Sequence, residues 1–120
     1  MQVTDVRRMT YLACPYSHPA AEYREAVFWM VTCVAARMVA SGEIVFAPIT
    51  YTHTLCQAAG LDPLDPQWYG FDVPFLLACQ RLVVITLDGW QVSRGVQEEL
   101  MIAEQMGIPI EFIDPPAFTV

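Results

Sequence analysis

The sequence predicts an α/β protein with a Rossmann-like or flavodoxin-like three-layer fold and a mainly parallel sheet of about four or five strands. Short apolar runs typical of buried strands alternate with helical patterns along the whole chain. This alternation predicts a parallel sheet that is covered by helices on both faces. A length of 120 residues is enough for one hydrophobic core and too short for two. We therefore expect a single domain over residues 1–120.

The strands are predicted from short apolar runs bounded by turn residues. They cover residues 10–14, 43–49, 82–87 and 108–113. Pro48 closes the second run, and Pro109 indicates that the last strand lies at a sheet edge, because proline cannot donate a backbone hydrogen bond. Parallel strands of an open sheet bind ligands at their carboxyl ends. We therefore expect the loops after the first three strands, at residues 15–19, 50–53 and 88–95, to form one crevice.

Three helices are predicted between these strands. They cover residues 19–41, 72–81 and 95–106. Pro19 suits the first turn of the first helix, and Gly42 suits its C-terminal cap. Residues 50–69 contain one glycine and two prolines without clear periodicity. We expect them to form an irregular excursion with a helical turn around residues 55–59.

Charge and composition limit the kinds of partner. The formal net charge is −7, and all six basic residues are arginines. We expect no binding to polymeric nucleic acid, which needs clustered Lys and Arg. No uncharged apolar run approaches the ~18 residues of a membrane span. The N-terminus has no apolar signal segment, so we expect a cytoplasmic protein that does not contact membranes.

The apolar composition predicts an oligomer. The hydrophobic fraction of 55% is high for a chain of this size. The first predicted helix has Trp29, Cys33 and Ala36 on the side away from its core stripe. A helix that is apolar nearly all round is buried on two sides. We therefore expect a homodimer or homotetramer.

The cysteines and histidines indicate no metal site. Four cysteines are scattered without a Cys-x-x-Cys pair, and His18 and His53 have no partner at ligand spacing. We expect Cys14, Cys33 and Cys79 to be reduced core residues and no metal to be bound.

The most informative segment joins the third predicted strand to the last helix. Residues 82–88 are followed by Ser93, Gly95 and Glu99. A serine hydroxyl, free helix N–H groups and a carboxylate are thereby predicted at the carboxyl end of a parallel strand. The hydroxyl and the N–H groups suit a phosphate. The segment therefore predicts a site for a small, phosphorylated molecule.

Helical geometry separates two adjacent glutamates of this segment. At ~100° per residue, Val96, Leu100 and Ala103 form the stripe that packs on the sheet. Glu98 lies opposite that stripe and is expected in solvent. Glu99 lies ~70° from the centre of the stripe, on the flank that meets the strand ends. Glu99 is therefore a candidate for chemistry, and the alternative is that it only complements the helix dipole from the first turn.

Three further residues are candidates, and each has a structural alternative. Asp72 opens the second predicted helix, either as a partner of the helix dipole or as a second carboxylate near Glu99. Tyr11 is either an ordinary strand aromatic or a hydroxyl that reaches a sugar. Arg24 either points at the phosphate site predicted at the start of the last helix or forms a surface ion pair. Two carboxylates suit glycosidic-bond cleavage, because one stabilises or captures the developing cation while the leaving group receives a proton.

The order of these motifs resembles the nucleoside 2-deoxyribosyltransferase-like superfamily, which also contains the deoxynucleoside 5′-monophosphate N-glycosidases. The resemblance covers nearly the whole chain. It is carried by residues 11–15 (YLACP), Asp72, residues 83–85 (VVI) and the pattern SRGVxxExxxA at residues 93–103. Shorter strings at residues 16–19, 47–49 and 87–90 resemble a small bacterial branch of the superfamily.

The resemblance implies a Rossmann-like homodimer that uses neither cofactor nor metal. It implies that Glu99 is the nucleophile and Asp72 the assisting aspartate. It also implies that Tyr11 and Pro15 belong to the substrate pocket. Ser93 and Gly95 correspond to the positions that hold the 5′-phosphate in the N-glycosidases. Two features depart from the pattern: no glycine follows Glu99, and residues 50–69 have no clear counterpart.

The function predicted from the sequence is therefore cleavage or transfer at the N-glycosidic bond of a nucleoside or nucleoside 5′-monophosphate. Ser93, Gly95 and Arg24 favour the phosphorylated substrate and hydrolysis. The alternative function is a nucleotide-binding or sensing module that has kept the pocket without the chemistry.

Overall fold

The computed structural model describes residues 1–117. Within them a four-stranded sheet of β1 (Met9–Ala13), β2 (Ile44–Phe46), β3 (Arg81–Ile85) and β4 (Ile110–Ile113) alternates with helices. The helices are α1 (Ala21–Ala40), α2 (Pro48–Ala59), α3 (Gln67–Ala78) and α4 (Arg94–Met106), and a 3₁₀ turn at Trp90–Val92 precedes α4. The predicted α/β class is confirmed.

All strand pairs in the sheet are parallel, in the order β2-β1-β3-β4. The chain moves outward from β1 to β2, then returns past β1 to β3. The order therefore reverses between β1 and β3, the type of position where open α/β sheets bind ligands. Strand β4 is an edge strand, as Pro109 predicts.

Alternating residues of β1 and β3 build the core on the two faces of the sheet, because successive side chains of a strand point in opposite directions. On one face, Leu12 and Val83 pack with the α1 residues Val27 and Val31. The other face carries residues that pack with α3 and α4, namely Tyr11, Ala13, Leu82, Val84, Leu76, Val96 and Ala103. Helices thus cover both faces, which gives the three predicted layers.

The prediction for residues 50–69 is wrong in its first half, which is helical. Helix α2 begins at Pro48, whose fixed φ and missing N–H suit a first-turn position. It ends at Gly60, which adopts a left-handed φ of 66°. Strand β2 accordingly ends at Phe46, before the predicted position. Helix α2 brings Thr52 and His53 into the interior.

The predicted starts of two other helices are also corrected. Helix α3 begins at Gln67, so Asp72 is its sixth residue and lies away from the helix end. Gly70 and Pro74, both unfavourable in helix interiors, conceal this helix in the sequence. Helix α4 begins at Arg94, which makes Glu99 its sixth residue as well. Neither carboxylate lies in a first turn, and the dipole alternative loses its geometric basis because the effect is confined to that turn.

The outer face of α1 is exposed in this chain. Trp29 is 57% exposed. The prediction of a core position is confirmed for Cys14 and Cys79 but wrong for Cys33, which lies on this exposed face. Oligomerisation through this face remains a prediction. Among residues 1–117, no helix combines the length and the apolar character that a membrane span requires.

Candidate active site

A cleft opens at the point where the strand order reverses. Its walls come from β1 and the loop after it, the start of α2, the middle of α3 and the first half of α4. The space between these walls, together with the open solvent at the mouth, amounts to about 760 Å³. Ligands of open α/β sheets bind where the strand order reverses, outside the carboxyl ends of the strands. The cleft therefore has the position of a ligand site.

Asp72, Glu99 and Tyr11 meet in this cleft. Tyr11 comes from β1, Asp72 from the second turn of α3, and Glu99 from the second turn of α4. The three candidates that sequence reasoning drew from separate elements are thus brought together. Val96 and Ala103, which are fully buried, anchor the stripe of α4 and hold Glu99 on the cleft side.

Burial raises the pKa values of both carboxyls. It raises the pKa of Asp72 to about 7. Burial raises the pKa of Glu99 to about 8, with smaller contributions from the Asp72 and Glu98 carboxyls, while the nearby Tyr11 hydroxyl opposes the shift. Desolvation disfavours the charged form of a carboxyl, which is the physical cause common to both groups. Strongly perturbed carboxyls within a cleft are typical of functional sites.

Two buried polar atoms of the cleft have no hydrogen-bond partner in the described part of the chain, the Tyr11 hydroxyl and Asp72 Oδ1. The hydroxyl lies near Glu99 but forms no bond of standard geometry with it. A buried polar atom without a partner costs about 1–3 kcal/mol. A shift of the neighbouring cleft side chains is needed before a bound molecule can reach these atoms and complete their hydrogen bonds, because each has less than 1 Å² of accessible surface.

Ser93 caps α4, because its Oγ accepts a hydrogen bond from the Val96 N–H at 3.3 Å. Gly95 follows in the first turn, and its backbone lies against the ring of Tyr69. A Cβ at position 95 would lie 3.2 Å from Tyr69 Cε1. Both residues line the cleft as predicted, but Tyr69 packs over the helix start where a phosphate was expected.

Glu98 departs from its prediction, because it lines the cleft instead of standing free in solvent. Its carboxylate pairs with Arg94 of the same helix, with 3.0 Å between Oε1 and Nε. The Arg94 guanidinium also lies 4.6 Å from the centre of the Tyr69 ring. The cation nearest the start of α4 is therefore held by a carboxylate and an aromatic face.

Arg24 and Pro15 are not among the residues that line this cleft. Arg24 donates a hydrogen bond to the His18 carbonyl and lines a second cavity. Pro15 is buried between the cleft residues Cys14 and Tyr16 and accepts a hydrogen bond from the Cys14 thiol through its carbonyl. Within residues 1–117, Arg24 thus neither points at the predicted phosphate site nor forms a surface ion pair.

Tyr16, Ser17 and Thr52 line the cleft and lie within the two segments expected there, residues 15–19 and 50–53, although none of them was singled out. Trp68 and Tyr69 of α3 also line the cleft and were not predicted. They lie in the first turn of α3, which the sequence pattern did not indicate.

The electrostatics of the cleft favour a neutral or cationic ligand. Asp72, Glu98 and Glu99 line it, whereas no lysine or arginine does so within the described residues. Groups of three or more His, Cys, Asp or Glu side chains suited to a metal ion are also absent from residues 1–117.

A family model described as "Domain of unknown function (DUF1937)" matches residues 8–114. The chain belongs to the DUF1937 family. The match runs from β1 to β4, so the whole cleft of this DUF1937 protein lies within the family domain. No curated protein matches the chain.

Proposed function

We propose that this DUF1937 protein cleaves the N-glycosidic bond of a nucleoside and passes the sugar to water or to a second base. The observation that carries the proposal is the pair of buried carboxyls, Asp72 and Glu99, with raised pKa values beside the unpartnered hydroxyl of Tyr11. Glycosidic cleavage uses two carboxyl groups, one of them ionised and the other protonated.

In the proposed reaction, a Glu99 oxygen attacks C1′ while the bond from C1′ to the base nitrogen breaks. The electron pair of that bond passes to the base, which takes a proton from Asp72. Water or a second base then attacks C1′, the bond to Glu99 breaks, and the carboxylate is regenerated. Overall, the proton lost by the attacking group replaces the one that Asp72 gave.

The reaction needs Glu99 ionised and Asp72 protonated, although the pKa of Glu99 is about 8 and that of Asp72 about 7 in the free cleft. A difference of one pKa unit favours the opposite arrangement, with Glu99 protonated and Asp72 ionised, by about 1.4 kcal/mol. A hydrogen bond from a sugar hydroxyl to a carboxylate contributes roughly 1.5–3 kcal/mol. Such a bond to Glu99 therefore brings the reactive arrangement to a population at least comparable with that of the other.

The charges of the cleft favour a nucleoside over its 5′-monophosphate, which changes the preference drawn from the sequence. Arg24 lines another cavity, and Arg94 is held by Glu98 and Tyr69. A phosphate in the cleft would find no arginine among the described lining residues to neutralise it, and it would be repelled by whichever of Asp72 and Glu99 is ionised.

The experiment incubates the protein with ribonucleosides, deoxyribonucleosides and their 5′-monophosphates, and measures free base by chromatography. We expect release from a nucleoside, its loss in Glu99→Ala, and its retention in Glu104→Gln, which changes an exposed glutamate of the same helix. Release that survives Glu99→Ala contradicts the mechanism. Absence of release from every compound, with a thermal shift by one of them, favours the binding module instead.

A further inference from the structure

A second cavity adjoins the cleft, and Tyr16 and Pro63 line both. The second cavity is also lined by Arg24, Glu25, His53 and Gln57. Tyr16 belongs to the loop that follows β1 and so lies between the two spaces. Its surroundings in the second cavity are polar and titratable, and the reaction proposed above assigns them no role.

Tyr16, His53 and Glu25 form a continuous chain of hydrogen bonds. The Tyr16 hydroxyl lies 2.7 Å from His53 Nδ1, and His53 Nε2 lies 2.8 Å from Glu25 Oε2. His53 is buried, with 7% of its side chain exposed, whereas 45% of the Glu25 side chain is exposed. The chain thus runs from the cleft wall through a buried imidazole to a carboxylate at the surface.

The bonds on Glu25 fix the direction of this chain. Its hydrogen bonds from His53, Trp29 and Gln57 lower the pKa of Glu25, so the group is ionised at neutral pH. An ionised carboxylate only accepts, and His53 Nε2 must therefore donate. In a neutral imidazole the other nitrogen is then an acceptor. Tyr16 consequently donates its hydroxyl proton to Nδ1.

The imidazole and the carboxylate are both held in place. The Phe28 ring stacks on His53 with 4.2 Å between ring centres. Trp29 Nε1 donates to Glu25 Oε1 at 3.1 Å, and Gln57 Nε2 donates to Oε2 at 3.0 Å. A base oriented by a carboxylate and bonded to a hydroxyl is the arrangement that activates hydroxyl groups in many enzymes.

We propose that Glu25, His53 and Tyr16 form a proton relay that ends at the wall of the cleft, with Tyr16 as a catalytic residue. The use of the relay in catalysis rests on the proposed function. When water attacks C1′, its oxygen forms the new bond and the bond from C1′ to Glu99 breaks. The water proton passes to the Tyr16 oxygen, and the Tyr16 proton passes to His53 Nδ1. The resulting imidazolium pairs with Glu25 and passes the proton to solvent, and Asp72 takes up a proton from solvent, so the overall proton balance is unchanged.

The relay complements Asp72. Asp72 has a raised pKa and is suited to donate a proton to the departing base, whereas His53 Nδ1, the acceptor of the Tyr16 hydrogen bond, is suited to take up the proton that the attacking group passes to Tyr16. Burial also raises the pKa of Tyr16 to about 12 against the lowering effect of Arg24. Tyr16 therefore acts while protonated, by passing a proton on, and not as a stable phenolate.

The same bonds join the β1–α1 loop, α1 and α2, so a loss of stability on mutation does not distinguish a relay from a structural tie. Reactivity of the phenol does. A small aryl sulfonyl fluoride reacts with a tyrosine hydroxyl by forming an O–S bond and releasing fluoride, and the phenol proton goes to a nearby base. Peptide mass spectrometry reports the labelling rate of each tyrosine, and the exposed Tyr51 is an internal reference.

We expect Tyr16 to be labelled at least about tenfold faster than Tyr51, since general-base assistance is worth ~10²–10⁴-fold. The excess should be lost in His53→Ala and Glu25→Gln, and added imidazole should restore it in His53→Ala. Trp29→Phe removes a different bond from the same carboxylate and should keep the excess. His53→Gln replaces His53→Ala if that variant does not fold. Labelling of Tyr16 that is slow, or independent of His53, overturns the relay.

Base release tests the catalytic role separately. We expect Tyr16→Phe and His53→Ala to lower kcat by about 100-fold with little change in KM, and imidazole to restore part of the activity of His53→Ala. Unchanged kcat in Tyr16→Phe overturns the inference and leaves the proposed function intact. If the wild type releases no base and Tyr16 labelling still depends on His53, the proposed function fails while the relay stands.

Discussion

Two polar clusters share the wall formed by Tyr16, and they differ in how their hydrogen bonds are satisfied. In the cleft, the Tyr11 hydroxyl and Asp72 Oδ1 are buried without partners, and burial raises the pKa values of both carboxyls. In the relay of Glu25, His53 and Tyr16, hydrogen bonds engage both ring nitrogens and both carboxylate oxygens.

This difference distinguishes a ligand-binding site, the cleft, from a hydrogen-bond network that holds Tyr16 in one orientation. Unpartnered buried groups cost stability and are retained where a bound molecule completes them. A fully bonded network costs little and holds a side chain in one orientation. Replacing a charged group of the cleft with a neutral one is therefore expected to stabilise the protein. Replacing a residue of the relay is expected to destabilise it.

The largest expected effect distinguishes the two roles considered for Asp72. Asp72→Asn should lower base release from an ordinary purine nucleoside by ~10²–10⁴-fold, because the base then departs without a proton. An N7-methylated purine leaves without being protonated, so its release should fall far less. Rates are measured by chromatography for both substrates. Equal losses would show that Asp72 orients the sugar and does not protonate the base.

Neutralising Glu99 should stabilise the fold at alkaline pH. The pKa of Glu99 is raised to about 8 in the folded protein, so the folded state binds the extra proton between about pH 4.5 and pH 8. The free energy of unfolding therefore falls as pH rises through this window. Glu99→Gln should remove that fall and gain at least about 2 kcal/mol at pH 8.5, at about 1.4 kcal/mol per unit of pKa shift.

Urea unfolding of Glu99→Gln at pH 4.5 and pH 8.5 measures this gain, and the two proteins should be nearly equal at the lower pH. His53→Gln is the matched variant in the relay. It should lose about 1–3 kcal/mol, because Tyr16 and Glu25 lose their hydrogen-bond partner. A loss of stability in both variants would remove the distinction between the clusters.

The pH dependence of kcat/KM should be a narrow bell. Below about pH 7 both carboxyls of the cleft are protonated and no nucleophile is present, whereas above about pH 8 both are ionised and no acid remains. On each side of its maximum, kcat/KM should change by about tenfold per pH unit. The two apparent pKa values of the profile describe the coupled pair of carboxyls and not either residue alone. A profile that stays flat from pH 5 to pH 9 would contradict catalysis by this pair.

The smallest expected effect concerns the choice of substrate. Glu98→Gln removes a negative charge that lines the cleft and releases Arg94 from its ion pair. The ratio of kcat/KM for a 5′-monophosphate to that for its nucleoside should rise by about 3–10-fold, as expected for one partly screened charge. Glu104→Gln, on the exposed side of α4, should leave the ratio unchanged.

Much of the fold and the cleft follows from patterns that are local in sequence. Alternating strands and helices predict the parallel sheet. The stripe of α4 through Val96 and Ala103 predicts that Glu99 faces the cleft, but it does not separate Glu99 from Glu98, which lines the cleft as well. Tyr11 and Asp72 were found because both lie near the ligand edge of the sheet.

The relay could not be predicted in this way. Glu25, His53 and Tyr16 come from three segments and meet only when α2 packs beside α1. Helix α2 begins with proline and was not recognised, so His53 had no predicted face and appeared isolated. Helix α3 was concealed in part by Gly70 and Pro74. Tertiary packing stabilises α2 and the start of α3 although their local sequence does not favour a helix.

The contact between Gly95 and Tyr69 has a consequence for the dimensions of the cleft. Tyr69 belongs to α3 and Gly95 to α4, and a Cβ at position 95 would already press on the ring at 3.2 Å. The close approach of these two helices, which carry Asp72 and Glu99, therefore depends on the glycine at this point. A larger side chain one turn before Glu99 would displace the Tyr69 ring and with it one wall of the cleft.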